Sequence, residues 1–584
     1  MKIVKGAKVV TEVIDRFQQW LGQNELPDVL QSELRAVVES ENEISDRFYK
    51  WLEFGTGGMR GLLGAGTNRI NRYTIRRVAE GLARMIDEHG PSAKHRGVAI
   101  AYDTRHQSRE FALETAKVLG AHNIRSFVFS EPRPTPELSF AVRELATFSG
   151  VVITASHNPK EYNGFKVYGE DGGQLPPEKA AAIVGHMEAI EDVFSIEVLS
   201  EDGLKEIGLL TFLSEEMDAS YQGKLKNLQL GEFPRDKVNI VYTPIHGTGN
   251  VPVQQALHNF GYEQVTIVPE QEQPDPEFST VSYPNPEEEE AFKLAIQLGA
   301  RVDADLLLAT DPDADRLGAA IALPTRGYDL LTGNQLGALL LNYLLDQRQQ
   351  AGTLPANGLL LKTIVTSEMG RAIAEQYGVA TEDTLTGFKY IAEKIEEYNA
   401  SGEFKFLFGY EESYGYLIED FVRDKDAVQA ALLTAEAAAY YKSQGSSLHA
   451  QLKRLYAKVG YYRESLQSIT IPGKEGVATI ERVLTTLRNT PPTDLAGIEI
   501  VAIEDYETGK ILSTDGTEQP TGLPKSNVLK FRLADGSWCC ARPSGTEPKC
   551  KFYIGVRGNS GMDAVNKCEA LEKAILALVE PLYK

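Results

Sequence analysis

The chain is predicted to be a multidomain α/β protein, on three observations. Short apolar runs recur, and each ends in a loop of small, polar or charged residues. At 584 residues the chain is longer than one hydrophobic core organises, and about three to five domains are expected at ~100–200 residues each. Its 42% hydrophobic and 24% charged residues are those of an ordinary soluble protein, without a long biased segment.

The elements follow in chain order. Residues 1–50 carry mostly helical periodicity, including Val13, Ile14, Phe17, Trp20 and Leu21 at three- and four-residue spacing. They lead into the glycine-rich stretch Phe54-Gly55-Thr56-Gly57-Gly58-Met59-Arg60-Gly61, the first candidate ligand contact. Strands are then expected at Val98 to Tyr102 before Asp103-Thr104-Arg105, at Gly150 to Ile153 before Thr154-Ala155-Ser156-His157-Asn158-Pro159, and at Val238 to Tyr242 before Thr243-Pro244-Ile245-His246. Two more end at Ala309, ahead of Asp311-Pro312-Asp313-Ala314-Asp315-Arg316, and at Phe408, ahead of Gly409-Tyr410-Glu411-Glu412-Ser413. Strand, loop and helix in repetition are the rhythm of α/β units, which place ligands at the C-terminal ends of strands. Asn285-Pro286 followed by four glutamates reads as a helix start with Asn285 as N-cap. Leu336 to Leu345 reads as a buried helix, since it falls short of the ~20 residues that span a bilayer. Boundaries near Leu210, near Pro324 to Tyr328 and near Val459 to Glu464 divide the chain into 1–210, 211–325, 326–460 and 461–584.

A formal net charge of −22 argues against a general nucleic-acid surface, yet a few local cations can still bind a small anionic substrate. The N-terminus lacks the apolar core of a signal peptide, so the expected compartment is the cytoplasm, with neither nucleic acid nor membrane as partner. The four cysteines, Cys539, Cys540, Cys550 and Cys568, match no zinc template and read as reduced packing residues.

Two loops carry the chemistry. Ser156 offers a hydroxyl nucleophile on a turn set by Asn158-Pro159, and Lys166 trails it closely enough to return to it. The surroundings lack the Gly-x-Ser-x-Gly pattern of α/β-hydrolases. Asp311, Asp313 and Asp315 alternate along what reads as an extended segment, so that their carboxylates converge on a hard cation, magnesium or manganese rather than zinc. An EF-hand loop is excluded because Arg316 and Ala322 stand where glycine and glutamate are required. Together the loops point to phosphoryl transfer through serine. That reaction needs cations for the moving charge, for which Arg60, Arg105 and Arg316 are candidates, and a proton handler, for which Lys166 and Lys389 are candidates. It also needs a phosphate clamp, which Arg542-Pro543-Ser544-Gly545-Thr546 offers. The chain has no nucleotide-binding P-loop motif.

In these residues the chain resembles the α-D-phosphohexomutase family. Residues 154–159 look like its phosphoserine loop, 311–316 its magnesium loop, 409–413 its sugar loop and 542–546 its phosphate loop. The resemblance implies three similar mixed-sheet α/β domains and a smaller C-terminal α+β domain around a central cleft, the last able to rotate over the substrate. It implies one Mg2+ per chain bound by the phosphorylated Ser156, Asp311, Asp313 and Asp315. Catalysis falls to Ser156, Lys166, His157 and Arg60. The substrate contacts implied are His246, Gly387, Lys389, Glu411, Ser413, Arg542, Ser544, Gly545 and Thr546. The reaction implied is exchange of glucose 1-phosphate and glucose 6-phosphate through glucose 1,6-bisphosphate, which also serves as activator. Pentose or mannose phosphates are the rival substrates, and a silent sugar-phosphate-binding regulator is the rival class. One departure is that Tyr414-Gly415-Tyr416 follows Ser413, where some members have Gly-His with the histidine as a base.

Overall fold

The computed structural model describes residues 2–55, 58–471, 476–543 and 549–583. The chain forms two compact units. One holds the chain up to Leu228 with Asn239–Leu317 and Glu419–Leu432; the other holds Gln229–Val238, Gly318–Ile418 and the chain from Leu433.

In the first unit, strands β1 (Gly58–Leu62), β2 (Val98–Tyr102), β3 (Ser126–Phe129), β4 (Ser149–Ile153), β5 (Tyr162–Tyr168) and β6 (Leu210–Leu213) form a mixed sheet ordered β1-β5-β4-β2-β3-β6. The four strands β4, β2, β3 and β6 run parallel, while β5 and β1 are antiparallel additions. Every residue of β2 and β4 is buried, as expected of central strands covered by helices on both faces. Strands β7 (Ile240–Thr243), β8 (Val265–Ile267) and β9 (Leu306–Thr310) form a second parallel set ordered β9-β7-β8. Of the N-terminal apolar stripe, Val13, Phe17 and Trp20 are buried against Leu34, Phe48 and Tyr73, while Ile14 and Leu21 stay exposed on its flank. Trp20 meets Phe48 and Tyr73 edge-on at 5.9 and 5.5 Å.

His122 lies between two carboxylates, with Nε2 3.0 Å from Glu80 Oε2 and Nδ1 2.7 Å from Asp87 Oδ2. The hydrogen bond to Glu80, aided by Asp87, outweighs burial and raises its pKa. The folded protein therefore holds this proton more tightly than the unfolded chain. The stabilisation is complete below about pH 6.5 and fades as pH rises through the raised pKa. His122→Gln is expected to lower the melting temperature more at pH 6 than at pH 9, which paired thermal melts would check.

In the second unit, β10 (Leu317–Ala322) and β11 (Tyr328–Leu330) make a hairpin. Strands β12 (Gly358–Thr363), β13 (Ala380–Thr384), β14 (Lys405–Tyr410) and β15 (Tyr416–Leu417) form a sheet ordered β13-β12-β14-β15, parallel but for β15. The helix Gly333–Gln350 carries the apolar run around Leu336 and is capped by Thr332 and Gln335 in a capping box. The C-terminal domain is antiparallel. Its strands β16 (Tyr461–Thr470), β17 (Asp494–Leu495), β18 (Ile498–Asp505), β19 (Lys510–Ser513), β20 (Glu518–Pro520), β21 (Leu529–Leu533), β22 (Trp538–Pro543) and β23 (Lys549–Gly558) follow the order β16-β23-β22-β21-β18-β19-β20, with β17 against β18. Helices Gly476–Asn489 and Gly561–Tyr583 pack on this sheet. The four cysteines are free and buried, and burial pushes the Cys540 and Cys550 thiols up to about 12 and that of Cys568 to about 11. They are inert packing groups. No helix among the described residues is long and apolar enough to cross a membrane.

Three local expectations are corrected. Leu210 opens β6, which pairs with β3, so a cut there severs an edge strand from its sheet. Pro324 to Tyr328 forms the turn of the β10–β11 hairpin and the start of β11 rather than a linker. The helix expected at Asn285 begins at Glu289. Asn285 instead accepts the Glu287 N–H at 3.2 Å in a turn, which a short polar side chain stabilises in competition with helix.

Candidate active site

The parallel order of the first sheet places the C-terminal ends of β2 and β4 side by side, and the loop after each enters the site. Asp103, just after β2, accepts hydrogen bonds from Thr154 Oγ1 and Ser108 Oγ, both at 2.7 Å. Arg105 lies beneath the serine loop. Its Nη2 donates to the carbonyls of Ser156, at 2.6 Å, and Asn158, and its Nη1 to those of Pro159 at 2.7 Å and Tyr162 at 3.2 Å. Its Nε is 3.2 Å from Asp103 Oδ2. Expected to meet a phosphoryl group, Arg105 is instead consumed in holding the loop. The loop needs such a brace, since Ser156 sits at φ 53°, a left-handed conformation that costs a serine about 1 kcal/mol or more. Gly164 on β5 allows the neighbouring backbone to close in, for a Cβ there would lie 2.6 Å from the Thr154 carbonyl and 2.7 Å from that of Met59.

Held this way, the buried Ser156 donates its hydroxyl proton to Asp311 Oδ2 at 2.8 Å, with His157 Nδ1 3.2 Å from the same Oγ. Asp311 follows β9 directly. The triplet is not extended. Asp311 Oδ1 accepts the N–H groups of Asp315 and Arg316 at 3.1 and 3.0 Å, and Ala314 turns the chain at φ 48°, so the carboxylates converge from one tight turn. Ligand oxygens of Asp311, Asp313 and Asp315 all lie within 4.8 Å of one another, and all three residues are buried. Asp313 Oδ1 and Asp315 Oδ1 have no hydrogen-bond partner although they are buried. Oxygen-only donors with orphaned lone pairs in a buried acidic turn fit a hard divalent cation.

Charge is balanced around this turn. Burial, then the charges of Asp313 and Asp315, push the Asp311 carboxyl well above the usual range. Burial works against the charged form of Asp313 too, but the Lys166 ammonium, the hydrogen bond with Asp311 and the Lys425 charge together outweigh it and hold that carboxyl low. Lys166 Nζ is 3.1 Å from Asp313 Oδ2 and 3.7 Å from Asp315 Oδ2. Burial, reinforced by Arg316 and Arg60, drives the pKa of His157 well below its ordinary value, so the ring is neutral. Arg60 on β1 donates to Asn158 Oδ1 at 3.1 Å, and Arg316 pairs with Glu287 at 2.5 Å.

Sequence reasoning missed two contributors. Thr135 donates its hydroxyl to Asp313 Oδ2 at 3.0 Å and its N–H to the Asp313 carbonyl at 2.9 Å. Lys425 sits 3.0 Å from both Asp315 Oδ2 and Asp424 Oδ1, and Asp424 is held by the buried Tyr168 hydroxyl at 2.8 Å. The available signal was Arg423-Asp424-Lys425-Asp426, four charges flanked by the buried Val422 and Ala427. His246 has Nδ1 3.0 Å from the Gln273 carbonyl and Nε2 2.9 Å from Thr280 Oγ1, so both ring nitrogens are engaged within its own domain.

In the second unit Gly387, at the N-terminus of the helix Phe388–Ser401, donates its N–H to Glu411 Oε1 at 3.0 Å. Lys389 is 7% exposed. Burial, then the Arg542 charge, brings its pKa down to about 8. Ser413 is half-buried beside Glu411, and Arg542 is half-buried on β22. Ser544, Gly545 and Thr546 lie outside the described residues.

Comparison with known proteins accords with this arrangement. Family models described as Phosphoglucomutase/phosphomannomutase, alpha/beta/alpha domains I, II and III, match residues 52–194, 219–323 and 332–459 in order. A phosphoglucomutase of Staphylococcus epidermidis is 41% identical over 506 residues, spanning 86% of this chain and 90% of that protein. One from Staphylococcus aureus is 39% identical over 542 residues, 92% and 96% of the two chains. The fold is shared with a Phosphoglucomutase/phosphomannomutase family protein from Burkholderia thailandensis (TM-score 0.64, 17% identity, 90% and 97% covered). It is shared equally with the phosphoprotein pp63/parafusin of Paramecium (TM-score 0.65, 18% identity, 91% and 96% covered). With its serine loop, acidic turn and three α/β domains in this order, the chain belongs to the phosphoglucomutase/phosphomannomutase family of α-D-phosphohexomutases.

Proposed function

We propose that the protein is a phosphoglucomutase, interconverting α-D-glucose 1-phosphate and D-glucose 6-phosphate through a phosphoserine at Ser156 and a glucose 1,6-bisphosphate intermediate. The observation that carries this reading is the 2.8 Å contact of Ser156 Oγ with Asp311, inside a carboxylate turn that has orphaned oxygens. Asp311, Asp313 and Asp315 would hold one Mg2+ together with the serine phosphate, where the ion neutralises charge on the transferring group.

In the first half-reaction the phosphorus–Oγ bond of Ser156 breaks as a phosphorus–oxygen bond forms to the free sugar hydroxyl, O6 or O1. In the second the phosphorus–oxygen bond at the opposite sugar position breaks as the phosphorus–Oγ bond re-forms. Each attacking hydroxyl, of the sugar in the first step and of Ser156 in the second, gives up a proton to a protein base, and the leaving oxygen regains one. His157, neutral and beside Oγ, is placed to take the proton, while Lys166 is occupied by Asp313. Arg60 and Lys425 supply positive charge for the phosphoryl oxygens, and Arg105 keeps the loop in shape. Glu411 and Ser413 take sugar hydroxyls with Gly387 ordering them; Lys389, Arg542, Ser544, Gly545 and Thr546 take the non-reacting phosphate. His246 braces its loop.

Lys389 is charged below about pH 8 and neutral above it. The KM for glucose 1-phosphate is therefore expected to climb above pH 8, approaching about tenfold per pH unit, because the free enzyme loses a phosphate contact. Lys389→Met should begin at a higher KM and lack that alkaline rise; KM measured from pH 6.5 to 9.5 checks both.

The proposed activity is tested by coupled assay with Mg2+ and a trace of glucose 1,6-bisphosphate, comparing glucose 1-phosphate, mannose 1-phosphate and ribose 1-phosphate. A kcat/KM highest for glucose 1-phosphate, by about tenfold or more, is expected. Preference for ribose 1-phosphate would reassign the substrate, and no turnover of any of the three would end the reading.

A further inference from the structure

The loop carrying Glu411 and Ser413 is a tight reversal, with the Glu411 N–H bonded to the Gly415 carbonyl at 2.9 Å and Tyr414 at φ 65°. Between the two residues assigned to sugar, Glu412 is held by hydroxyls of another segment. The hydroxyls of Thr363 and Thr366, 2.8 Å apart and fully buried, converge on Glu412 Oε2 at 3.1 and 3.2 Å. The other side of the loop is closed by Gly333, where a Cβ would lie 2.2 Å from the Glu412 carbonyl oxygen.

The two threonines belong to one turn at the end of β12, closed by the Thr366 N–H on the Thr363 carbonyl at 3.1 Å. Lys362, wholly buried, organises that turn. Its Nζ donates to the carbonyls of Thr363 and Thr366 at 3.3 and 3.2 Å, and is neutralised by Glu368 Oε1 at 3.0 Å and Asp383 Oδ1 at 3.1 Å. Arg371 ties those two carboxylates together, 2.8 Å from Glu368 and 2.7 Å from Asp383. A buried ammonium with two carbonyls and two carboxylates around it has little freedom to move.

We infer that Thr363 and Thr366, set by Lys362, are positioning residues that fix Glu411 and Ser413 in their sugar-binding geometry through the carboxylate of Glu412. The inference rests on the sugar-loop reading given above. The relay orders the loop before substrate arrives, so losing it raises KM through the ordering cost while the phosphoryl-transfer machinery at Ser156 is untouched.

The test uses Thr366→Val, Thr363→Val, Thr366→Ser and, as a control on the sugar loop, Glu411→Ala. KM and kcat for glucose 1-phosphate are measured with melting temperatures, and glucose 1-phosphate is compared with galactose 1-phosphate, its epimer at the hydroxyl that the loop would read. Each valine variant is expected to raise KM by about tenfold while kcat falls less than about threefold, and to narrow the glucose-to-galactose ratio; Thr366→Ser, which restores the hydroxyl, should return KM to within about twofold. If Glu411→Ala raises KM but both valine variants leave it unchanged, the relay is wrong and the sugar-loop reading stands. A melting temperature that falls with kcat, without rescue of KM by serine, would also overturn it, reducing the threonines to packing. If Glu411→Ala leaves KM unchanged, the sugar-loop reading fails and the relay with it.

Discussion

Replacing Ser156 with alanine is expected to lower mutase kcat by about 10⁴-fold or more while the protein still folds, because the group that carries the phosphate between half-reactions is gone. Nothing nearby can substitute. Among the described residues the acidic turn contacts one hydroxyl nucleophile on the serine loop, Ser156, and Thr135 is bound to Asp313 through both its hydroxyl and its N–H. The variant should fold because the loop is held by Arg105 through backbone carbonyls, none of which depends on the serine side chain. The lost 2.8 Å hydrogen bond to a buried carboxyl should cost only about 1–3 kcal/mol. Coupled assay and thermal melting on the same preparation check both halves. Activity above about one per cent of wild type would remove Ser156 from the mechanism.

The second large effect is expected from Asp313→Asn. The buried Oδ1, without a hydrogen-bond partner, suits this carboxylate to hold a metal ion, while its Oδ2 pairs with Lys166. The amide keeps the shape but loses the charge and brings an N–H donor to a site that offers a cation only oxygens. We expect kcat/KM to fall about 10³-fold, of the order seen when one strong electrostatic contact to a transition state is removed. A separate readout needs no turnover. Mg2+ at about a hundred times its Kd stabilises a protein by about 2.7 kcal/mol, which should raise the wild-type melting temperature by a few degrees. In Asp313→Asn that rise should disappear. A full Mg2+-dependent rise in the variant would place the metal elsewhere.

Much of this was legible in the sequence where a local signal coincided with a global one. The runs ending at Tyr102, Ile153 and Ala309 became central strands because a strand buried on both faces must be apolar throughout. Sheet order sets the ends of β2 and β4 side by side, and the end of β9, in the second sheet, brings Asp311 to Ser156. Where two local preferences competed, the reading was less successful. Asn285 made a turn rather than a cap, and Asp311 to Asp315 made a turn through a left-handed alanine that no period-two pattern predicts. Long-range contacts left the weakest trace. Thr135 and Lys425 reach the acidic turn from distant segments, so only the fold shows that they meet it, although the charged run at Lys425 is visible in the sequence. Arg105 shows the converse. An arginine in a loop near a serine reads as a phosphate ligand, yet its Nη donors are spent on the backbone carbonyls of Ser156, Asn158, Pro159 and Tyr162.

Transfer of labelled phosphate tests the central claim most directly. The protein is incubated with glucose 1,6-bisphosphate carrying radioactive phosphorus, the labelled peptide is mapped, and the label is chased with unlabelled glucose 1-phosphate. The account predicts label on Ser156 alone and its recovery in glucose 6-phosphate and glucose 1,6-bisphosphate after the chase. Label on another residue, no label, or release of the phosphate to water in place of the sugar would contradict it.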